Sequence, residues 1–369
     1  MPTVEIGRTG LRVTRLGLGT VPLGNMMGPI SDEAAHAIVR RALDRSVNLI
    51  DTAPQYGSGL AERRIGEVLD GRQPSQVVIA TKVGRLLARA STARKVARVV
   101  RQAARTRDYR LIWHNALGVT RRMTGRDHTF PLGYPFEEAE RAYESYFDFS
   151  YDGALRSVES SLERLRVDRI DLLYIHDPDE HHEAAVGGAY RAIERMRSEG
   201  TVRAIGVGMN HSAPLARWVR ESDIDCVLLA GRYTLLDQSG MEDLLPVATE
   251  RGVTVNVGGV FNSGILADPR PGASYNYEPI EAASPTLMRA LKLKELCARH
   301  AVPLAAAALQ FPTAHPAVGA VLTGVRSEAE LDSNADLFSW PIPDALWQDL
   351  KDAELLGADV PVPVGNSSR

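Results

Sequence analysis

Short apolar runs recur along the chain, separated by stretches with helical periodicity. The runs are 15–20, 48–52, 77–83, 170–176, 202–208, 225–230, 253–259 and 318–323. Each is dense in Val, Ile and Leu without strict polar alternation, the pattern of parallel strands covered on both faces. Between them, Ser31 stands before Asp32 and Glu33, with Ile38, Ala42 and Leu43 on one helical face. Leu155, Val158, Leu162 and Leu165 repeat at helical spacing, as do Tyr190, Ile193 and Met196 before Gly200. Ser284-Pro285 opens a further helix. Eight such strands alternating with helices predict a (β/α)8 TIM barrel, one domain over residues 1–369. Gly7 and the Thr9-Gly10 turn predict an N-terminal β-hairpin closing the barrel bottom. The rival, an open dinucleotide-binding sheet, wants G-x-G-x-x-G, and Gly17-Leu18-Gly19 is not followed by the third glycine.

One region breaks the rhythm. About seventy residues separate the third run from Leu155 in the next helix, where a barrel loop usually needs a handful. Residues 85–126 hold twelve Lys and Arg against one Asp, and Glu137, Glu138, Glu140, Glu144 and Asp148 follow. Val96, Val99, Val100 and Ala103 share a helical face within it. The reading is an insertion, 84–148, acting as a lid or a docking element within the barrel domain, with Trp113 and His114 reaching the substrate.

Composition narrows the function classes. The chain has 369 residues and net charge −3 at pH 7, which gives no global electrostatic case for nucleic acid or membrane binding. Cys226 and Cys297 are too few for a disulfide scaffold, and the N-terminus carries no apolar signal-peptide core, so a cytoplasmic location is expected. The run His176-Asp177-Pro178-Asp179-Glu180-His181-His182 has metal-ligand residue types but is a loop broken by Pro178. It reads as a solvated acidic loop, and no metal is expected.

In a TIM barrel the chemistry sits at the C-terminal ends of the strands. There the second run offers Asp51, with Tyr56 five residues on; the third offers Lys82; the fourth offers His176. A tyrosine with a free pKa of about 10 needs help to exchange protons near neutrality. A neighbouring ammonium favours the phenolate. Lys82 supplies the ammonium, Asp51 orients it, and His176 donates a hydrogen bond to the substrate oxygen or to Tyr56. Singly each residue has a bland structural reading; four in this order point to proton transfer at a carbonyl.

These motifs resemble the aldo-keto reductase family. The opening, Ile6-Gly7-Arg8-Thr9-Gly10-Leu11 through Leu16-Gly17-Leu18-Gly19-Thr20, is similar to the family's, and Asp51, Tyr56, Lys82 and His176 match its catalytic tetrad. Phe261-Asn262-Ser263-Gly264-Ile265-Leu266 and the run from Phe311 to Val318 look most like the L-fucose and D-threo-aldose 1-dehydrogenase branch. The resemblance implies NAD or NADP bound across the barrel mouth. Gly19, Thr20 and Asp51 would lie near the nicotinamide, Asn210 at the carboxamide, Phe261, Asn262, Ser263, Gly264 and Leu266 around the pyrophosphate, and Gly324, Arg326, Glu330 and Asn334 at the adenosine. Glu330, where many NADP users carry a basic residue, favours NAD. The family's usual stacking aromatic falls near Gly258, and Tyr233 is read as a substrate contact. The implied activity is hydride transfer between nicotinamide and a carbonyl or carbinol, with a sugar hemiacetal oxidised to a lactone. The alternatives are reduction of a bulkier aldehyde or ketone and, from another class, a cofactor-binding regulatory subunit like those of potassium channels. A protein partner or self-association through the basic insertion is a further expectation.

Overall fold

The computed structural model describes residues 1–70, 76–89, 143–275 and 278–364. An antiparallel hairpin, β1 (Thr3–Glu5) and β2 (Arg12–Thr14), comes first. The barrel strands are β3 (Leu16–Gly19), β4 (Leu49–Asp51) and β5 (Val78–Val83), followed by a ribbon of β6 (Arg85–Arg89) and β7 (Tyr143–Phe147). The barrel resumes with β8 (Leu172–His176), β9 (Ala204–Met209), β10 (Cys226–Ala230) and β11 (Thr254–Gly258). A two-residue pair, β12 (Ser274–Tyr275) and β13 (Glu278–Pro279), precedes the closing strand β14 (Val318–Gly324). The eight strands close in the order β10-β11-β14-β3-β4-β5-β8-β9, all parallel. Each of the eight apolar runs is therefore a barrel strand, with ends that differ from the run by no more than two residues.

The barrel is filled, not hollow. Ile6, Leu11 and Val13 of the hairpin region pack with Leu49, Leu172 and Leu322 in one buried cluster, so the hairpin plugs the bottom as its turn predicts. A polar bridge crosses the filling. Asn256 Nδ2 donates to Tyr174 Oη at 2.8 Å, and Asn256 Oδ1 accepts from the Ala320 N–H at 3.1 Å, which satisfies three buried polar groups at once. Outside, helices cover the strands in the predicted places. Ser31 caps helix Asp32–Asp44 through its hydroxyl, and Ser150 does the same for Tyr151–Leu165. Gly252, in the left-handed conformation, ends Gly240–Arg251. Among the described residues no helix is long and apolar enough to cross a membrane.

The root of the insertion is an antiparallel ribbon with Arg85 opposite Phe147 and Arg89 opposite Tyr143. Gly84 makes the exit from β5 work. Its φ is +94°, and a Cβ there would lie 2.5 Å from the Phe149 ring. The Asp148 N–H donates to Gly84 O at 3.0 Å and closes the ribbon's base. The amphipathic stretch 96–103, Trp113 and His114 lie outside the described residues.

Candidate active site

The ends of β4, β5 and β8 bring Asp51, Lys82 and His176 to one side of the barrel mouth, where all three are buried. Lys82 Nζ donates to Asp51 Oδ1 at 2.7 Å and to Thr52 O at 2.8 Å. The same ammonium stands 5.1 Å from the centroid of the Tyr56 ring. The Tyr56 and His176 rings meet edge-on with centroids 6.1 Å apart. Thr20 anchors the strand end beneath, its N–H and hydroxyl both donating to Asp51 O, at 3.0 and 2.9 Å.

Tyr56 belongs to no strand; a tight loop places it. Gly57 in that loop, at φ +61°, touches Gly24 back to back, and a Cβ on Gly57 would come within 2.5 Å of Gly24 O. Only a pair of glycines allows the Tyr56 loop to sit this low on the turn Pro22–Gly24.

The electrostatics follow from burial and from one ion pair. Burial works against the charge on Lys82, but Asp51 and Tyr56 outweigh it and raise its pKa above the usual lysine value. Burial pushes the Asp51 carboxyl up, and the Lys82 ammonium pulls against that rise. His176 is driven well below the ordinary histidine value by burial, with Lys82 and Arg85 adding to the effect, so its imidazole is neutral at physiological pH. A buried cation beside a phenol, with a neutral imidazole across from it, is equipped to move a proton to or from an oxygen placed between them.

The comparisons with known proteins agree with this geometry. A profile of the aldo/keto reductase family matches residues 15–354. The chain belongs to the aldo/keto reductase family. Among curated relatives, pyridoxal 4-dehydrogenase of Microbacterium luteolum is 38% identical over 95% of this chain and 97% of its own. D-threo-aldose 1-dehydrogenase of a Pseudomonas species is 36% identical over 94% and 96%. A solved aldo-keto reductase of Bacillus halodurans shares the fold at TM-score 0.67 and 24% identity, covering 98% of each chain. The protein is thus an NAD(P)-dependent oxidoreductase of this family.

The rim offers groups suited to the family's cofactor. Asp51 Oδ2 and Asn262 Oδ1 are buried acceptors without a partner among the described residues, and ribose hydroxyls or a carboxamide would satisfy them. Gly19 pairs with both Asp51 and Gly324 at the rim. Phe261 is half-buried at the start of the loop after β11. Asn262 and Ser263 take left-handed backbone with φ +44° and +62°, followed by Gly264 at +98°. The N–H groups of Asn262, Gly264 and Leu266 are not available to an anion, because they donate to Gly259 O and Phe261 O within the loop. Asn210 is exposed just beyond β9, and its carbonyl accepts from Arg232 Nε. Asn334 is buried in helix Glu328–Phe338. Ser327 caps that helix, with Glu330 N donating to its Oγ, and Glu330 Oε2 accepts from the N–H of the preceding Arg326 at 2.8 Å. No group of metal-ligating residues occurs among the described residues.

Tyr233, expected at the substrate, is closed off from solvent in the structure. Its ring is fully buried in the main core against Phe311, centroids 5.2 Å apart, with His315 beside it. The acidic loop after β8 is also less solvated than its composition implies. Asp177 pairs with Arg85 at 2.7 Å, Asp179 with His211 at 3.0 Å, and His181 packs against Phe147 and Phe149. Sequence reading missed Arg85 and Asp177. The one signal was adjacency: each directly follows, or nearly follows, a rim residue.

Proposed function

We propose that Tyr56 is the proton carrier of an oxidation at a hemiacetal carbon, with an aldose-like substrate leaving as the lactone. The observation that carries this is Lys82, buried 2.7 Å from Asp51 and 5.1 Å from the Tyr56 ring centroid, opposite a neutral His176. When bound, the nicotinamide supplies or accepts the hydride. Tyr56, as phenolate, takes the proton of the anomeric hydroxyl; in the reducing direction its phenol returns a proton to the carbonyl oxygen. Lys82 compensates the phenolate charge, and Asp51 keeps Lys82 in place. His176 donates a hydrogen bond to the same substrate oxygen and fixes its direction. Two relatives support oxidation, since both names describe dehydrogenation of a compound at the aldehyde level.

The reading assigns NAD as the preferred cofactor, because the Glu330 carboxylate is held by its cap where a 2′-phosphate would be repelled. Gly19, Thr20, Asp51, Asn210, Asn262, Ser263, Gly324 and Asn334 would hold the dinucleotide. The insertion borders the substrate, because its ribbon leaves the rim directly after Lys82 and Val83. Replacing residues 89–140 by a short Gly/Ser linker should then preserve the barrel and nucleotide binding while lowering turnover.

Absorbance at 340 nm with NAD or NADP and a panel of aldoses, aldehydes and ketones in both directions tests the reading. Lactone formation from an aldose, faster than any carbonyl reduction, is the expected result. Efficient reduction of a bulky ketone with no aldose oxidation would overturn the substrate assignment.

A further inference from the structure

His176 has unusual neighbours. Its Nδ1 is buried without a hydrogen-bond partner among the described residues. Asp177 Oδ2 stands 3.6 Å from its Nε2, too far for a hydrogen bond and close enough to draw a proton onto the ring. A carboxylate beside a general hydrogen-bond donor of this kind would ordinarily turn the imidazole into an imidazolium held by the carboxylate.

Arg85 intervenes. Its Nη2 donates to the same Asp177 oxygen at 2.7 Å. The guanidinium lies over the Phe147 ring, 4.2 Å from the centroid, and Phe147 is its cross-strand partner in the ribbon. Asp177 is held from the other side as well. Its backbone is left-handed at φ +48°, and its N–H donates to Gly208 O, the residue opposite His176 in the sheet. Among the described residues, the charged and titratable groups facing His176 are Lys82 from β5, Tyr56 from the loop after β4, Arg85 from β6 and Asp177 from its own loop; β9 presents Gly208 and Met209, which carry no charge. Asp179, next along, is paired with His211.

We infer that Arg85 and Asp177 are a positioning pair for His176, in which Arg85 holds the Asp177 carboxylate away from the imidazole and so keeps the ring neutral and turned toward the substrate oxygen. The pair ties the insertion to the reaction centre, because the first rung of the ribbon, Arg85 opposite Phe147, sets where the guanidinium lies. Neither residue touches the reacting atoms. The inference rests on the role proposed above for His176.

The experiment is a pH titration of the full-length protein, with the His176 imidazole followed by NMR after 15N-histidine labelling and assigned with His176→Asn, beside the pH profile of kcat/KM. Arg85→Gln should raise the His176 midpoint by about one unit or more and move the acid limb of activity up with it. Arg85→Lys should keep both near wild type, and Arg85→Gln combined with Asp177→Asn should restore the midpoint. An unchanged midpoint in Arg85→Gln, or a double variant that keeps the raised midpoint, overturns the pair. If Arg85→Gln does not fold, Asp177→Asn decides: a midpoint below wild type supports the pair and an unchanged one overturns it. A raised midpoint with an unmoved activity limb supports the pair and counts instead against the proposed role of His176.

Discussion

The two halves of the barrel rim do different work with the same backbone. From β3 to β8 the strand ends carry Asp51, Lys82 and His176, all buried. From β9 to β14 they carry Met209, Ala230, Gly258 and Gly324. In the first half, desolvation is the tool: it raises the stakes of every charge, so that one ion pair sets the protonation of its neighbours. The second half carries no charged side chain at these positions, and three of the four residues are Gly or Ala. A Cβ on Gly258 would meet Leu228 and Ala230 at 3.7 and 3.9 Å, ordinary contact distances, so the fold itself does not require glycine there. On the proposed function, proton transfer falls to the first half alone while the dinucleotide reaches across both, and substitutions in the two halves should have different kinetic signatures.

Tyr56→Phe should give the largest effect. Loss of the proton carrier is expected to lower kcat by roughly 10²–10⁴-fold, while the nucleotide dissociation constant, measured by fluorescence titration, stays near wild type. Near-normal turnover would break the division at its centre. Lys82→Met should follow. It removes the partner of a buried carboxylate, so activity should collapse and stability should fall by about 3–5 kcal/mol in denaturant unfolding.

On the opposite half, Gly258→Leu should weaken nucleotide binding by roughly tenfold, the loss of about 1.4 kcal/mol, with the pH profile unmoved. A shifted pH profile there would show that the halves are coupled. Glu330→Gln should produce the smaller change of a few-fold gain in NADP over NAD affinity, since an exposed carboxylate contributes on the order of 1 kcal/mol or less.

The smallest effect is thermal. His176 is neutral when folded, with its pKa well below the usual value, mainly through burial. The unfolded chain therefore binds a proton that the folded one refuses, and stability is lost as pH falls below about 6.5 toward the folded pKa. His176→Gln should flatten the decline of Tm in that window and leave Tm above it little changed; an identical slope in both proteins would show that His176 is not the titrating group.

Eight runs of Val, Ile and Leu were enough to read the barrel, because a strand buried on both faces must be apolar throughout, and that requirement is visible in one dimension. Asp51, Lys82 and His176 were legible for a related reason: a polar residue ending such a run has nowhere to go but the rim. Ser31, Pro285 and Gly200 marked helix ends through local hydrogen bonding or backbone preference, which needs no distant partner. Tyr233 was not legible, since a tyrosine beyond a strand suits a pocket or a core equally well, and only the packing of Phe311 and His315 assigns it to the core. The Arg85–Asp177 pair was equally hidden. Its members lie ninety-two positions apart, one in a basic stretch and one in an acidic loop, and the charge of each alone reads as solvated surface. Local sequence determines which segments are strands, helices and turns, because those choices are settled by neighbours in the chain. The tertiary structure decides which charges meet and how much water is left around them, and that is what makes Lys82 a buried ammonium, His176 a neutral imidazole, and the loops beside them part of the site.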